Sequence, residues 1–355
     1  MAENGPREDI AKIVSEKLLS LFKWKQYGPY DQDFPCRKQQ KHLDKDKTQK
    51  HTHPVDVVFG YKDPYSNKNV LLNTDLKSYG EGTINSTMVE DALISLAKTI
   101  DCAENSPDWQ RKYAIPPGDY EVRGLLFVYN HDNKQQKEFY EFFYPPKREK
   151  GQLGRPPKPI QLSKIPVPKD KQLHFVEPLL INYWMSISAD ISDMIRLSTF
   201  PKNDYGFYYP QLTFHKVTSS EKYLPATIEL LSSPFIIIKH DEVKEIVNST
   251  IETVYGPGYI VYYNREAKTD KEFLYLLDLL SKYQLLNSEN KIRLKIPQVN
   301  ADSSARSHFT RALEKYAHEW GYDDAGKSLN IHLDMIPYTR EFYNSENIGW
   351  KSVHA

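Results

Sequence analysis

Between Pro145 and Gln172 the chain carries seven prolines and eight Lys or Arg residues, opposed only by Glu149 and Asp170. Proline has no N–H to donate and fixes its own φ, so such a run is excluded from a helix interior and from a central strand. The segment therefore separates two folded regions. It predicts a first domain over residues 1–145, a Pro-rich basic linker over 146–172 and a second domain over 173–355. Both lengths suit a single domain.

In the first region Ile10, Ile13, Val14, Leu18 and Leu21 recur at helical spacing and predict a helix over residues 8–24. Residues Arg37 to His51 carry six Lys or Arg against two Asp with no apolar period, and read as a mobile loop. "PVDVVFGY" and "NVLLNTDLKSY" read as two strands of a hairpin, joined by the turn-forming "KDPYSNK". Met88, Ala92, Leu93, Leu96 and Ile100 then define a second helix, capped by Asn85 or Ser86. "VRGLLFVYN" is a third strand, and "NKQQKEFYEFFY" suggests a further helix.

Beyond the linker, "LHFVEPLLINYWMSISADISDMIRL" reads as helical in part. After it come the strand "FIIIK", a helical pattern around Val243 to Val254, the strand "YIVYYN" and a helix from Lys271 to Leu286. The strand "IRLKI", a helix from Ala305 to Trp320 and the strand "LNIHLDMI" complete the series. Alternation of this kind predicts a second α/β domain, its parallel or mixed sheet covered by helices.

Several function classes are excluded by composition and spacing. The N-terminal "MAENGPREDIAK" has no apolar signal region, and no apolar run reaches the roughly eighteen residues of a membrane span, so a cytoplasmic protein without a membrane partner is expected. Lys plus Arg and Asp plus Glu balance at 47 each, so the whole chain has no global attraction for polyanions. Phosphate must be met by local patches, for which Arg37 to His51 and Lys147 to Lys171 are the candidates. Cys36 and Cys102 are too few for a disulfide framework or a Cys-rich zinc site and read as free thiols. His51 and His53, with His42 nearby, lack a partner pair at the usual zinc spacing and read as solvated. "GYDDAGKS", Gly321 to Ser328, matches the P-loop pattern but follows a helix and precedes a strand, the reverse of a phosphate loop. Gly321 reads instead as the stop of the preceding helix.

The candidate chemistry lies at the end of the second strand. Residues two apart on a strand share a face, so Asp75 and Lys77 project together. Asp56 interrupts the apolar strand before them, and in a hairpin it lies next to Asp75. Close carboxylates repel unless a cation sits between them, and hard divalent ions such as Mg²⁺ favour carboxylate and carbonyl oxygens. A lysine beside them positions a water and offsets charge developing on a phosphodiester. About four or five Asp/Glu-x-Lys triplets arise by chance in such a chain, so the weight comes from Asp56 and the order of elements.

That order, helix, strand, strand, helix, strand, with Asp56 and Asp75-Leu76-Lys77 in place, resembles the PD-(D/E)XK nuclease superfamily. The resemblance implies an N-terminal restriction-endonuclease-like α-β-β-α-β core. It implies Mg²⁺ or Mn²⁺ as cofactor, held by Asp56, Asp75 and the Leu76 carbonyl. It also implies a catalytic role for Lys77, with Glu16 on the first helix as an additional candidate. Glu16 nonetheless falls away from the apolar stripe of its helix. The implied substrate is nucleic acid, DNA ahead of RNA. The implied setting is prokaryotic restriction, repair or anti-phage defence, or a toxin restrained by a partner subunit, with a homodimer as another assembly. The alternative is a non-catalytic nucleic-acid-binding or assembly subunit of a larger complex.

Overall fold

The computed structural model describes residues 5–44, 46–115, 117–135, 137–146, 158–210, 222–297, 301–322 and 329–336. Helix α1 (Gly5–Leu21) buries Ala11, Val14, Leu18 and Leu19. It is followed by strand β1 (Lys25–Tyr27) and a two-stranded ribbon of β2 (Gln32–Pro35) and β3 (Thr52–Val55). Strands β4 (Val57–Lys62) and β5 (Asn69–Tyr79) form the expected antiparallel hairpin, running in register from Val57 opposite Thr74 to Lys62 opposite Asn69. Helix α2 (Ser86–Ala103) is capped by Asn85, whose side chain accepts the Met88 N–H. It carries the chain across the sheet to β6 (Tyr120–Asn130), which pairs parallel with β5 from end to end. A parallel return needs such a crossover, and the amphipathic α2 supplies it. The short α3 (Pro107–Lys112), the single turn α4 (Tyr140–Phe143) and β7 (Leu173–Val176), parallel to β6, complete the unit.

The sheet order is β1-β4-β5-β6-β7, so β5 is its central strand. Val70 to Thr74 are all buried, the pattern of a strand covered on both faces. The α-β-β-α-β core read from the sequence is thus the observed one.

Two compact units divide between Asn182 and Tyr183. This is later than the proline run anticipates. Proline blocks regular structure without blocking packing: Ile160 and Ile165 lie in the first core, and Leu173–Val176 is the last strand of the first sheet.

Helix α5 (Pro178–Arg196) leads to β8 (Tyr205–Phe207), the short α6 (Ile228–Leu231) and β9 (Phe235–His240). The helical pattern expected around Val243 to Val254 is instead a hairpin of β10 (Val243–Val247) and β11 (Thr250–Tyr255). Asn248 and Ser249 at its tip both have positive φ, 49° and 68°, which is the turn that matches strand twist. Strand β12 (Gly258–Tyr263), helix α7 (Asp270–Lys282), strand β13 (Ile292–Pro297), helix α8 (Ala305–Trp320) and strand β14 (Ile331–Ile336) follow. The second sheet, β14-β13-β12-β9-β8, is mixed: β12 to β14 are parallel and β9 runs against β12 and β8. Its core is made by Phe273, Leu276 and Leu280 of α7 and Phe309 and Tyr316 of α8 on Val261 and Leu294. Gly321 ends α8 in the left-handed conformation at φ 71°, as its helix-stop role requires. The rest of the P-loop-like stretch, residues 323–328, lies outside the described residues. Among the described residues no helix is long and apolar enough to cross a membrane.

The segment from Arg37 to His51 corrects the expectation of a loop with solvated histidines. The Cys36 N–H donates to the His51 carbonyl at 2.8 Å, and Leu43 bridges Gln49. His51 is exposed, but His42 and His53 are buried at 6% and 0% exposure. Apolar periodicity missed this because the segment is held by polar side chains and backbone bonds.

Candidate active site

Asp56 lies in a bend between β3 and β4, where the chain leaves one ribbon and enters the sheet. The Asp31 N–H donates to its carbonyl at 2.8 Å. One step beyond the Val57–Thr74 pair places Asp56 opposite Asp75. Its Oδ2 accepts the Leu76 N–H at 2.6 Å, which fixes the carboxyl over the β5 backbone. The N–H and C=O of a strand residue face the same neighbour, so the Leu76 carbonyl is turned to the same gap. Lys77 Nζ donates to Asp75 Oδ1. Both side chains are part-buried, at 29% and 20% exposure, on the central strand rather than at a sheet edge. A pair so placed differs from the solvated ion pairs of sheet edges, which stabilise little.

The electrostatics follow from that crowding. Burial, and then the Asp75 charge, push the Asp56 carboxyl up to about 7, against the pull of Lys77 and the Leu76 N–H. A protonated Asp56 hydrogen-bonds to Asp75. For Lys77 burial works to lower the pKa, but the Asp75 and Asp56 carboxylates outweigh it and raise it, so the ammonium is held charged. Two carboxylates pressed together at the cost of a raised pKa, with a carbonyl beside them, form a hard-oxygen set short of positive charge. This donor set fits a divalent cation of the Mg²⁺ type.

A cavity of about 710 Å³ opens over these residues. Its floor includes Asp56, Asp75 and Lys77, and one wall is a polar stripe on α2, with Asp91, Ser95 and Thr99 at helical spacing. Sequence reasoning missed this wall, although a polar residue every fourth position beside the apolar stripe of α2 was a readable signal. Glu16 is exposed on α1 and is not among the residues lining the cavity. Its charge instead helps raise the pKa of Tyr30, after the larger effect of burial. The structure thus brings together Asp56, Asp75, Leu76 and Lys77 and leaves Glu16 apart.

A family model described as the GAPS4 protein PD-(D/E)XK nuclease domain matches residues 1–178. The chain belongs to this PD-(D/E)XK nuclease-domain family. No curated protein and no solved structure matches the chain. The matched span contains every strand of the first sheet and every residue lining the cavity. A nuclease-type domain carries a nucleic-acid substrate as its implication, and the PD-(D/E)XK domain is the part of the chain to which that applies.

Proposed function

We propose that the first unit is a divalent-metal-dependent nuclease hydrolysing phosphodiester bonds, with Asp56, Asp75 and the Leu76 carbonyl holding Mg²⁺ or Mn²⁺ and Lys77 positioning the attacking water. The observation that supports this best is the Asp56 carboxyl fixed opposite Asp75 by the Leu76 N–H, with the charged Lys77 on the same face. When bound, the ion would supply Lewis-acid polarisation of the phosphate and a lowered pKa for water. Asp56 would hold the ion as a carboxylate, its proton having passed to solvent. Asp75 orients Lys77 through their ion pair, and the lysine N–H groups point hydrogen bonds at the attacking water and at charge growing on the phosphoryl oxygens. The Asp91, Ser95 and Thr99 wall confines the substrate backbone over these groups.

DNA is the substrate we favour over RNA, and prokaryotic anti-phage defence in the cytoplasm is the setting, consistent with the GAPS4 description of the family. A toxin-like nuclease held in check by a partner subunit or in a homodimer is a variant of the same reading. The second unit then recognises the substrate or that partner.

The test is Mg²⁺-dependent cleavage of a panel of DNA and RNA by the full-length protein, compared with Asp75→Ala and Lys77→Ala. Loss of cleavage in both variants is expected. Equal nicking by all three proteins would sink the mechanism. Retained Mg²⁺-independent binding without cleavage by the wild type would favour the assembly-subunit alternative.

A further inference from the structure

Four side chains outside the cavity converge on one point. Cys36, His42, His53 and Cys102 are buried at 5%, 6%, 0% and 1% exposure, and one ligating atom from each lies within 4.8 Å of all the others. Cys36 Sγ is 3.9 Å from Cys102 Sγ and 3.4 Å from His42 Nδ1. His42 Nδ1 is 3.6 Å from Cys102 Sγ and 3.4 Å from His53 Nε2. Bonds of about 2.3 Å to sulfur and about 2.0–2.1 Å to nitrogen, set at tetrahedral angles, require edges of about 3.8 Å for S–S, about 3.5 Å for S–N and about 3.4 Å for N–N. These four edges are close to those of a tetrahedron around one zinc ion, and the two remaining edges, from His53 to the sulfurs, lie within 4.8 Å.

We propose that Cys36, His42, His53 and Cys102 form a structural zinc site. The proposal stands independently of whether the cavity cleaves nucleic acid. A tetrahedral set of two thiolates and two imidazoles selects zinc over the hard ions suited to carboxylates. Each thiol gives its proton to solvent as its S–Zn bond forms, and two thiolates with Zn²⁺ make a centre of zero net charge that suits a buried position. Four protein ligands leave no open position, the mark of a structural rather than a catalytic zinc.

The surroundings agree. His42 Nε2 is 3.1 Å from Asp101 Oδ2, and Asp101 is held in turn by Lys38 Nζ at 2.6 Å. A carboxylate on the far nitrogen directs the His42 Nδ1 lone pair inward and raises its basicity, the usual support of a zinc-bound histidine. The Arg37 backbone N–H bonds to the Cys102 sulfur. A disulfide does not explain the quartet, since a Cys36–Cys102 bridge needs sulfurs about 2.05 Å apart and leaves the two histidines without a role.

The site ties the β2–β3 ribbon and the Arg37 to His51 segment to the last turn of α2. His53 lies three residues before Asp56, and α2 carries the cavity wall. The zinc thereby holds both sides of the cleft from outside it.

The experiment is metal analysis of the purified full-length chain, prepared without added chelator. About one zinc per chain is expected, retained in Asp75→Ala and lost in Cys36→Ser and in Cys102→Ser. Replacement of the metal by Co²⁺ should give the visible ligand-field bands and thiolate charge-transfer absorption of a tetrahedral S₂N₂ centre. That wild-type reading does not depend on the variants folding. A wild-type chain free of zinc with a Cys36–Cys102 disulfide or two free thiols would overturn the proposal. Full zinc content in both Cys variants, or zinc lost only with Asp75, would overturn it equally.

Discussion

Asp56 ties the stability of the first unit to pH in a direction opposite to most carboxylates. Its carboxyl is raised from an ordinary 3.8 to about 7 by burial and by Asp75. Between those values the folded state holds a proton that the unfolded chain has released, so unfolding free energy falls as pH rises through that window. Without added Mg²⁺, the denaturation midpoint should therefore drop from about pH 4 to about pH 7 relative to Asp56→Asn, which keeps the acceptor for Leu76 N–H and cannot ionise. Added Mg²⁺ should stabilise the wild type more at pH 8 than at pH 5, because the ion competes with that proton. A wild-type midpoint that rises against the variant through this window would remove the burial argument. A second residue-scale prediction concerns the floor under the site. Trp109 Nε1 donates to Asn73 Oδ1 at 2.9 Å, both fully buried. Trp109→Phe strands that acceptor and should cost about 1–3 kcal/mol in chemical denaturation.

Residues of this kind differ in how far the sequence reveals them. Asp75 and Lys77 are two apart on one strand and Asp56 lies on its hairpin partner, so local spacing brings them together. The cysteine and histidine quartet is assembled from a ribbon, a polar connection and the far end of a helix. No spacing rule links Cys36 to Cys102, and only the tertiary fold makes them neighbours.

At the scale of elements, α2 bears the most on the site because one face packs in the core and another lines the cavity. Its start depends on Asn85, which accepts the Met88 N–H at 3.0 Å. Asn85→Ala should lower stability by about 1 kcal/mol, measured by urea unfolding. Gly124 on β6 lets the helix approach the sheet, since a Cβ there would meet Leu96 Cγ of α2 at 2.8 Å and the Leu173 side chain of β7. Gly124→Ala should cost about 1–3 kcal/mol from overpacking, and cleavage should fall with it as the α2 wall shifts. Unchanged stability in that variant would show that the helix has room to move. The elements themselves were mostly legible, because α2, α7 and α8 carry clean apolar stripes and stop signals. The β10–β11 hairpin was not. Val243, Ile246, Val247, Ile251 and Val254 mimic a helical period, while the abundance of β-branched residues and the cross-strand pair Ile246 with Ile251 favour strands.

The whole molecule carries no net charge, and this shapes how a polyanion must be bound. The cavity presents Asp56, Asp75 and Asp91 against Lys77, so without a cation it repels phosphate. The basic Arg37 to His51 segment is a poor substitute, because Lys38 is paired with Asp101 and Lys50 with Asp44. Nucleic-acid affinity should then be gated by the divalent ion rather than by a broad basic surface. Lys77→Ala keeps the carboxylates and is expected not to cleave, so it permits an equilibrium measurement. Its affinity for a DNA oligonucleotide, followed by fluorescence anisotropy with Mg²⁺ present or simply omitted, should tighten at least about tenfold with the ion, equivalent to about 1.4 kcal/mol. The salt dependence should be shallow, since a protein contacting few phosphates releases few counterions. Affinity that ignores Mg²⁺ and falls steeply with salt would place binding on the lysine-rich segments instead, and the cavity would no longer be where the backbone is held.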